Sequence, residues 1–341
     1  MTALLAVLLA LPAAAAAPVF KADARLELLG AVELAAGGRA KRFVDPKDEY
    51  SSAARALMAP FKEHPAVKLQ AAFPKTFDYI ARCDIADRLS PGLEATTTYF
   101  LPDPTLALAG GRERVEPWIA ALRDLSEASR FDEFFAGRRA ALEARAAPFR
   151  KAAEDVRLLA AIEEYAGRPF DGTYEITVSP YFDAEKMLNS VWPRPDGSRE
   201  LRTAVSAGAG RGNPAYFFQE RFPSALWHQL AHGFWDSRVE AAKRSLVARG
   251  DGRKEACFGE WEQCVKENVV RAVTARLLAK NVSEKAAKRF LKDGDEDMYP
   301  RMPALLKSLE AYEAKRADYP TLDSYLPVLF EAFPVKETAA K

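Results

Sequence analysis

Leu226-Trp227-His228-Gln229-Leu230-Ala231-His232-Gly233-Phe234 holds two of the chain's three histidines, four residues apart. Four residues is about one helical turn, so both imidazoles project from one helix face. Ala225, Leu226, Leu230, Ala231 and Phe234 supply the apolar remainder that would bury such a helix. The spacing is that of an HExxH zinc site, with Gln229 where the glutamate normally stands. In HExxH sites the histidines hold Zn²⁺ and the glutamate takes a proton from the zinc-bound water. Glutamine has the same length and can hydrogen-bond that water, but it accepts no proton. The pattern therefore supports a metal site better than it supports peptidase chemistry. The plainer alternative is a buried helix carrying two hydrogen-bonded histidines.

A catalytic zinc site needs a third protein ligand, and no histidine follows His232. The next strong helical segment begins at Glu260. Its Glu260, Cys264, Glu267 and Arg271 fall at i, i+4, i+7 and i+11, one stripe of a helix. Facing the histidines, this stripe offers Glu267 as an oxygen ligand, Glu260 as an outer acid or substitute base, and Arg271 as a partner orienting Glu267. Cys264 is a rival ligand, since a thiolate binds zinc well. A wet helix face with i,i+4 ion pairs would show the same residues. His64, just before Pro65 and far from the others in sequence, reads as a structural histidine at a helix end.

Composition narrows the classes. A chain of 341 residues with 49% hydrophobic and 28% charged residues is globular. A net charge of +1 without a basic tract argues against nucleic-acid binding. The apolar run Leu4–Leu11, followed by Pro12 and Ala13–Ala17, reads as a secretory signal over residues 1–17, too short to span a bilayer permanently. The protein is therefore expected to be exported, with no stable membrane span. Cys83, Cys257 and Cys264 allow one disulfide; Cys257–Cys264 would need Cys257 in the loop before the helix.

Along the chain, Ala24 to Ala36 reads as a helix ended by Gly37-Gly38, and a second helix follows Asp45-Pro46. Phe77–Leu89 is another helix, and Thr96–Leu101 a candidate strand. Arg112 to Gly167 is largely helical with a break or a start at Pro148. Tyr174–Ser179 and Leu201–Ser206 alternate as strands do. Gly208, Gly210 and Gly212 form a loop rather than a phosphate cradle. Helices follow over Pro223–Asp236 and Ser237–Arg249. Strand, turn, then histidine helix is the local order of zincins, in which an edge strand pairs with extended substrate.

Several blocks in this order resemble a bacterial family, domain of unknown function 4932, described as one of zinc metallopeptidases. They are Arg25-Leu-Glu-Leu-Leu, Pro60-Phe-Lys-Glu-His-Pro-Ala-Val, His228–His232 with Gly233-Phe234, Glu267-Asn-Val-Val-Arg-Ala, and Asp318-Tyr-Pro-Thr to Pro327. The resemblance covers nearly the whole chain after the signal and favours Glu267 over Cys264. It departs at Gln229, where the family has glutamate, and at Asp236, where it has asparagine.

Together these readings give a mainly helical α+β protein: a signal over 1–17, a helical part over 18–168, a zincin-like part over 169–333 and a tail over 334–341. The zincin-like part is expected to carry a small antiparallel sheet and the HxxxH helix. The functional expectation is a zinc metallopeptidase-like protein holding zinc through His228, His232 and Glu267, weak or inactive because of Gln229. A non-catalytic pseudopeptidase, binding peptide or a partner protein in the same groove, is the first alternative. A metal-free helical structural protein is the second.

Overall fold

The computed structural model describes residues 17–38, 44–45, 47–95, 101, 103–182, 187–193, 198–208, 213–242, 261–293 and 299–333. The expectations for the signal (except Ala17), the candidate strand at 96–100, the glycine loop at 209–212, the helix beyond 242, Cys257, Glu260 and the tail lie outside these residues.

Helices dominate. β1 (Val19–Lys21) leads into α1 (Ala24–Ala35), whose N-cap Asp23 accepts a hydrogen bond from the Arg25 backbone. Then come α2 (Glu49–Met58), α3 (Pro65–Ala71) and α4 (Tyr79–Asp87), followed by α5 (Asp103–Ala109), α6 (Arg112–Ser129), α7 (Phe131–Ala136) and α8 (Arg139–Ala144). Pro65 opens a helix rather than merely ending one. The His64 side chain caps it, accepting from the Ala66 backbone at 3.2 Å, and its other ring nitrogen meets Asp124 at 3.1 Å. His64 is thus a structural cap. α9 (Ala147–Asp155) starts with Pro148 in its first turn, and α10 (Leu158–Ala166) follows left-handed Arg157.

The sheet contains β1, β2 (Gly172–Ser179), β3 (Leu188–Pro193) and β4 (Arg199–Ser206), in the order β1-β2-β4-β3. β1, β2 and β4 run parallel, and only β3 is antiparallel. The sheet is therefore mixed, which corrects the antiparallel expectation. The reason is the Pro180–Ser198 segment. It carries the chain across to place β3 on the far side of β4, so β2 and β4 never form a hairpin. A parallel pair needs a crossover of roughly a dozen residues or more, and this segment supplies it.

Alternation sends the two faces of the sheet to different cores. Tyr174, Ile176, Val178, Leu201 and Val205 join one core with α9, α10 and the C-terminal helices. Leu188 and Ala204 join the other, with α1 to α8. The C-terminal helices are α11 (Pro214–Tyr216), α12 (Phe222–Ala241), α13 (Trp261–Asn281), α14 (Glu284–Lys292), α15 (Met302–Ala314) and α16 (Leu322–Leu329). A π-helical turn, Phe217–Arg221, joins α11 to α12. α12 is a single helix through Ala241, so the expected break near Ser237 does not occur.

α12 is held from below and above. Leu226, Leu230 and Phe234 form one stripe at 0–1% exposure, each worth about 1.5–3 kcal/mol of burial. Trp227 is also enclosed and donates its indole N–H to the Leu158 carbonyl at 2.8 Å. A side-chain carbon at Gly233 would lie 3.0 Å from the Phe170 ring, so glycine lets the helix pack closely on Phe170, just before β2. Arg199 donates to the Gly233 carbonyl at 2.6 Å, and Arg168 to that of Phe234 at 3.0 Å. No helix of the described residues is long and apolar enough to cross a membrane.

Candidate metal centre

With the Leu226 stripe committed to the core, residues two positions on lie about 200° around the helix. His228, His232 and Asp236 occupy that opposite stripe, and α13 packs across it. α13 brings Glu267. One potential ligand atom from each of His228, His232 and Glu267 lies within 4.8 Å of the others. The two Nε2 atoms are 3.3 Å apart. His228 Nε2 is 3.6 Å from Glu267 Oε2, and His232 Nε2 is 3.4 Å from Glu267 Oε1. An ion bound tetrahedrally at about 2.0–2.1 Å separates its ligand atoms by about 3.3–3.4 Å. The separation of the two Nε2 atoms matches that figure, while each imidazole faces a different oxygen of Glu267.

The proton positions follow from the neighbours. His232 Nδ1 faces both Asp236 carboxylate oxygens, at 3.0 and 3.2 Å, and so carries the hydrogen. Neutral His232 therefore points an Nε2 lone pair at Glu267 and His228. Burial pushes the His232 imidazolium down, but the Asp236 hydrogen bond and the charges of Asp236 and Glu267 outweigh it and raise its pKa. His228 goes the other way. Burial first, then the nearby His232 and Arg271 charges, lower its pKa to about 3. Its Nδ1 has no hydrogen-bond partner among the described residues.

Glu267 is steadied from its own helix, where Gln263 donates to Oε1 at 3.1 Å. Arg271 instead donates to the Phe290 carbonyl at 2.7 Å and lies between the rings of Phe290 and Tyr299, at 4.6 and 4.8 Å. Its positive charge remains near Glu267 and His228, but no hydrogen bond to Glu267 is formed. Cys264 is almost fully buried and disulfide-bonded, which removes its sulfur from the competition for a metal. Gln229 is half-buried on α12 beside His228. Asp236 and Gln263 were the partners that sequence reasoning missed. Each lies four residues from the side chain it touches, a spacing already visible in the chain.

The chain belongs to the DUF4932 family, a domain of unknown function, whose profile matches residues 29–332. That span contains both histidines of the pair, Glu267, Gln263 and Asp236. No curated protein matches the chain, and no solved structure does.

Proposed function

We propose that this DUF4932 member is an exported zinc-binding protein on a metallopeptidase-like scaffold, with His228, His232 and Glu267 as its metal ligands. The observation that carries the reading is the convergence of His228, His232 and Glu267: the two Nε2 atoms lie 3.3 Å apart, each faces one Glu267 oxygen at 3.4 or 3.6 Å, and one ligand atom from each residue lies within 4.8 Å of the others. Two neutral imidazoles and a carboxylate are also a donor set zinc accepts, and His₂Glu leaves one position open for water or substrate. Once bound, zinc would supply a Lewis acid and a more acidic water. The residue that would manage that proton is Gln229, which has no basic site to receive it. Hydrolysis is therefore weak or absent.

A groove for peptide is the companion part of the proposal. β3 is one of two edge strands, with β1 at the other side, and the one antiparallel member; no strand pairs with its outer side among the described residues. Its Val191 is 39% exposed. An extended peptide could add to such an edge by backbone pairing. The pseudopeptidase reading, with peptide or partner protein held and not cut, draws its support from Gln229.

Metal analysis of the purified chain tests the site. One zinc per chain is expected, falling to background in His232→Ala; an empty natural chain after loading with zinc would leave the metal-free structural alternative. A peptidase assay with Gln229→Glu tests the chemistry. Zinc content should not change, and hydrolysis should rise by at least about 10²-fold, the lower bound of general acid–base catalysis. Vigorous zinc-dependent cleavage by the natural chain would overturn the assignment of Gln229 as the deficit.

A further inference from the structure

The two histidines of the centre are supported unequally. His232 has a carboxylate behind it: Asp236, one turn further along α12, places both oxygens within 3.2 Å of Nδ1. His228 has no counterpart among the described residues. An imidazole without a partner at Nδ1 is held by its packing and by what its Nε2 meets, for His228 the ring of His232 at 3.3 Å and Glu267 at 3.6 Å. One whose Nδ1–H is fixed presents Nε2 alone. Such an outer hydrogen bond typically changes metal affinity 10–100-fold when removed.

We infer that Asp236 is the positioning residue of the metal centre, fixing His232 with Nε2 toward Glu267 before any ion arrives, while His228 is left to settle onto the ion. The inference rests on the zinc reading above. Asp236 is well placed for the role. It is on the same rigid helix as the ligand it orients, and its side chain is about one-third exposed, so its other lone pairs remain hydrated. Lys266 on α13 contributes positive charge nearby, but its ammonium is taken up by Glu240 at 2.6 Å and Glu262 at 2.9 Å. The Asp236 carboxylate is therefore left to His232. Asparagine at this position would offer one acceptor oxygen at the same reach. It would keep the orientation and lose the charge.

The test is competitive Zn²⁺ titration of the full chain, with Co²⁺ absorption as a report on ligand geometry. Asp236→Ala should bind zinc 10–100-fold more weakly and give an altered Co²⁺ band, while its metal-free thermal midpoint stays near that of the natural chain. Asp236→Asn should recover most of the affinity and the natural band. If the alanine variant does not fold, Asp236→Ser, too short to reach Nδ1, carries the same expectation. Natural affinity in the alanine or serine variant would overturn the inference and leave the zinc site standing. An asparagine variant as weak as alanine would also overturn it, because charge and not orientation would then be the cause. A natural chain that binds neither metal would end both readings.

Discussion

Beneath the N-terminal face of the sheet, Arg202 reaches Asp87 at 3.0 Å, Glu200 at 2.6 Å and Glu175 at 3.3 Å. Arg25 joins the same group by bonding Asp23 and the Asp87 carbonyl. On the opposite face His228, His232 and Glu267 approach one another at 3.3 to 3.6 Å. The first cluster is complete: positive and negative groups alternate, and the attraction offsets desolvation. In the second, His228 Nδ1 meets no hydrogen-bond partner among the described residues, and the two part-buried imidazoles and the carboxylate form the group proposed above to hold a cation. Buried polarity on one side therefore joins α1, α4, β2 and β4, and on the other gathers the three side chains proposed above as metal ligands.

Breaking the complete cluster should have the largest effect. Arg202→Met removes the positive charge shared by Asp87, Glu200 and Glu175, leaving Asp87 with Arg25 at 3.6 Å. Removing one partner from a buried ion-pair group destabilises by about 3–5 kcal/mol. Urea unfolding of the metal-free variant should show that loss, with zinc stoichiometry unchanged. A loss below about 1 kcal/mol would mean that the network is ornamental rather than structural.

The N-terminal face also holds one acid outside the network. Glu27 is fully buried, and neither of its oxygens makes a well-formed hydrogen bond among the described residues. Burial pushes its pKa up to about 8 against the help of Ser179 and Tyr50, which favour the charged form. The unfolded chain ionises this group near 4.5. Between the two values the folded protein keeps a proton that the unfolded chain has released. Stability contributed by neutral Glu27 is thus full below about pH 4.5 and falls as pH rises through 8, by up to about 1.36 kcal/mol per unit. Glu27→Gln should lack this component. The variant should match the natural chain at pH 4 and exceed it by a few kcal/mol at pH 9; parallel pH profiles would refute the assignment.

The same comparison shows how far sequence reaches. The histidine face of α12 was legible because both histidines lie on one helix, where spacing alone sets direction. Glu267 was within reach as a stripe position and as part of a family block. Arg271 lies on the same stripe, yet its long side chain turned to the Phe290 carbonyl and two aromatic rings, which spacing cannot foresee. The strands fared less well. β1 has three residues and β3 six, too little for alternation to stand out. Whether β2 and β4 pair parallel depends on where β3 goes, a long-range choice that local pattern does not hold. The charge network was hidden for the same reason, since Arg25, Asp87 and Arg202 are distant in sequence and each resembles a surface residue when read alone.

On the C-terminal face, metal should stabilise in proportion to its binding. Zinc at a hundred times its dissociation constant adds about 2.7 kcal/mol to the folded state. The natural chain should therefore melt a few degrees higher with zinc than with chelator. His232→Ala should lose that increment while keeping its metal-free midpoint. An equal zinc shift in both chains would place the ion elsewhere.

The smallest effect is expected at Cys264, and it separates fold from site within a single turn of α13. Its sulfur lies three residues before Glu267 and would be a stronger zinc ligand than the carboxylate if it were free and faced the histidines. It is instead disulfide-bonded and buried, and the Asn268 side chain donates to its carbonyl at 2.9 Å. Removing the sulfur should act through the covalent link alone. Cys264→Ser should lower the thermal midpoint, because losing a disulfide frees the unfolded chain, while zinc stoichiometry stays at one per chain and affinity stays within experimental error. In the natural chain Co²⁺ should show no thiolate charge-transfer band, with or without reductant. A band that appears on reduction, with Glu267→Gln still binding metal, would transfer the third ligand from oxygen to sulfur. The centre would then bind metal according to the redox state of its surroundings, and the contrast between the two faces of the sheet would no longer be one of paired against unpaired charge.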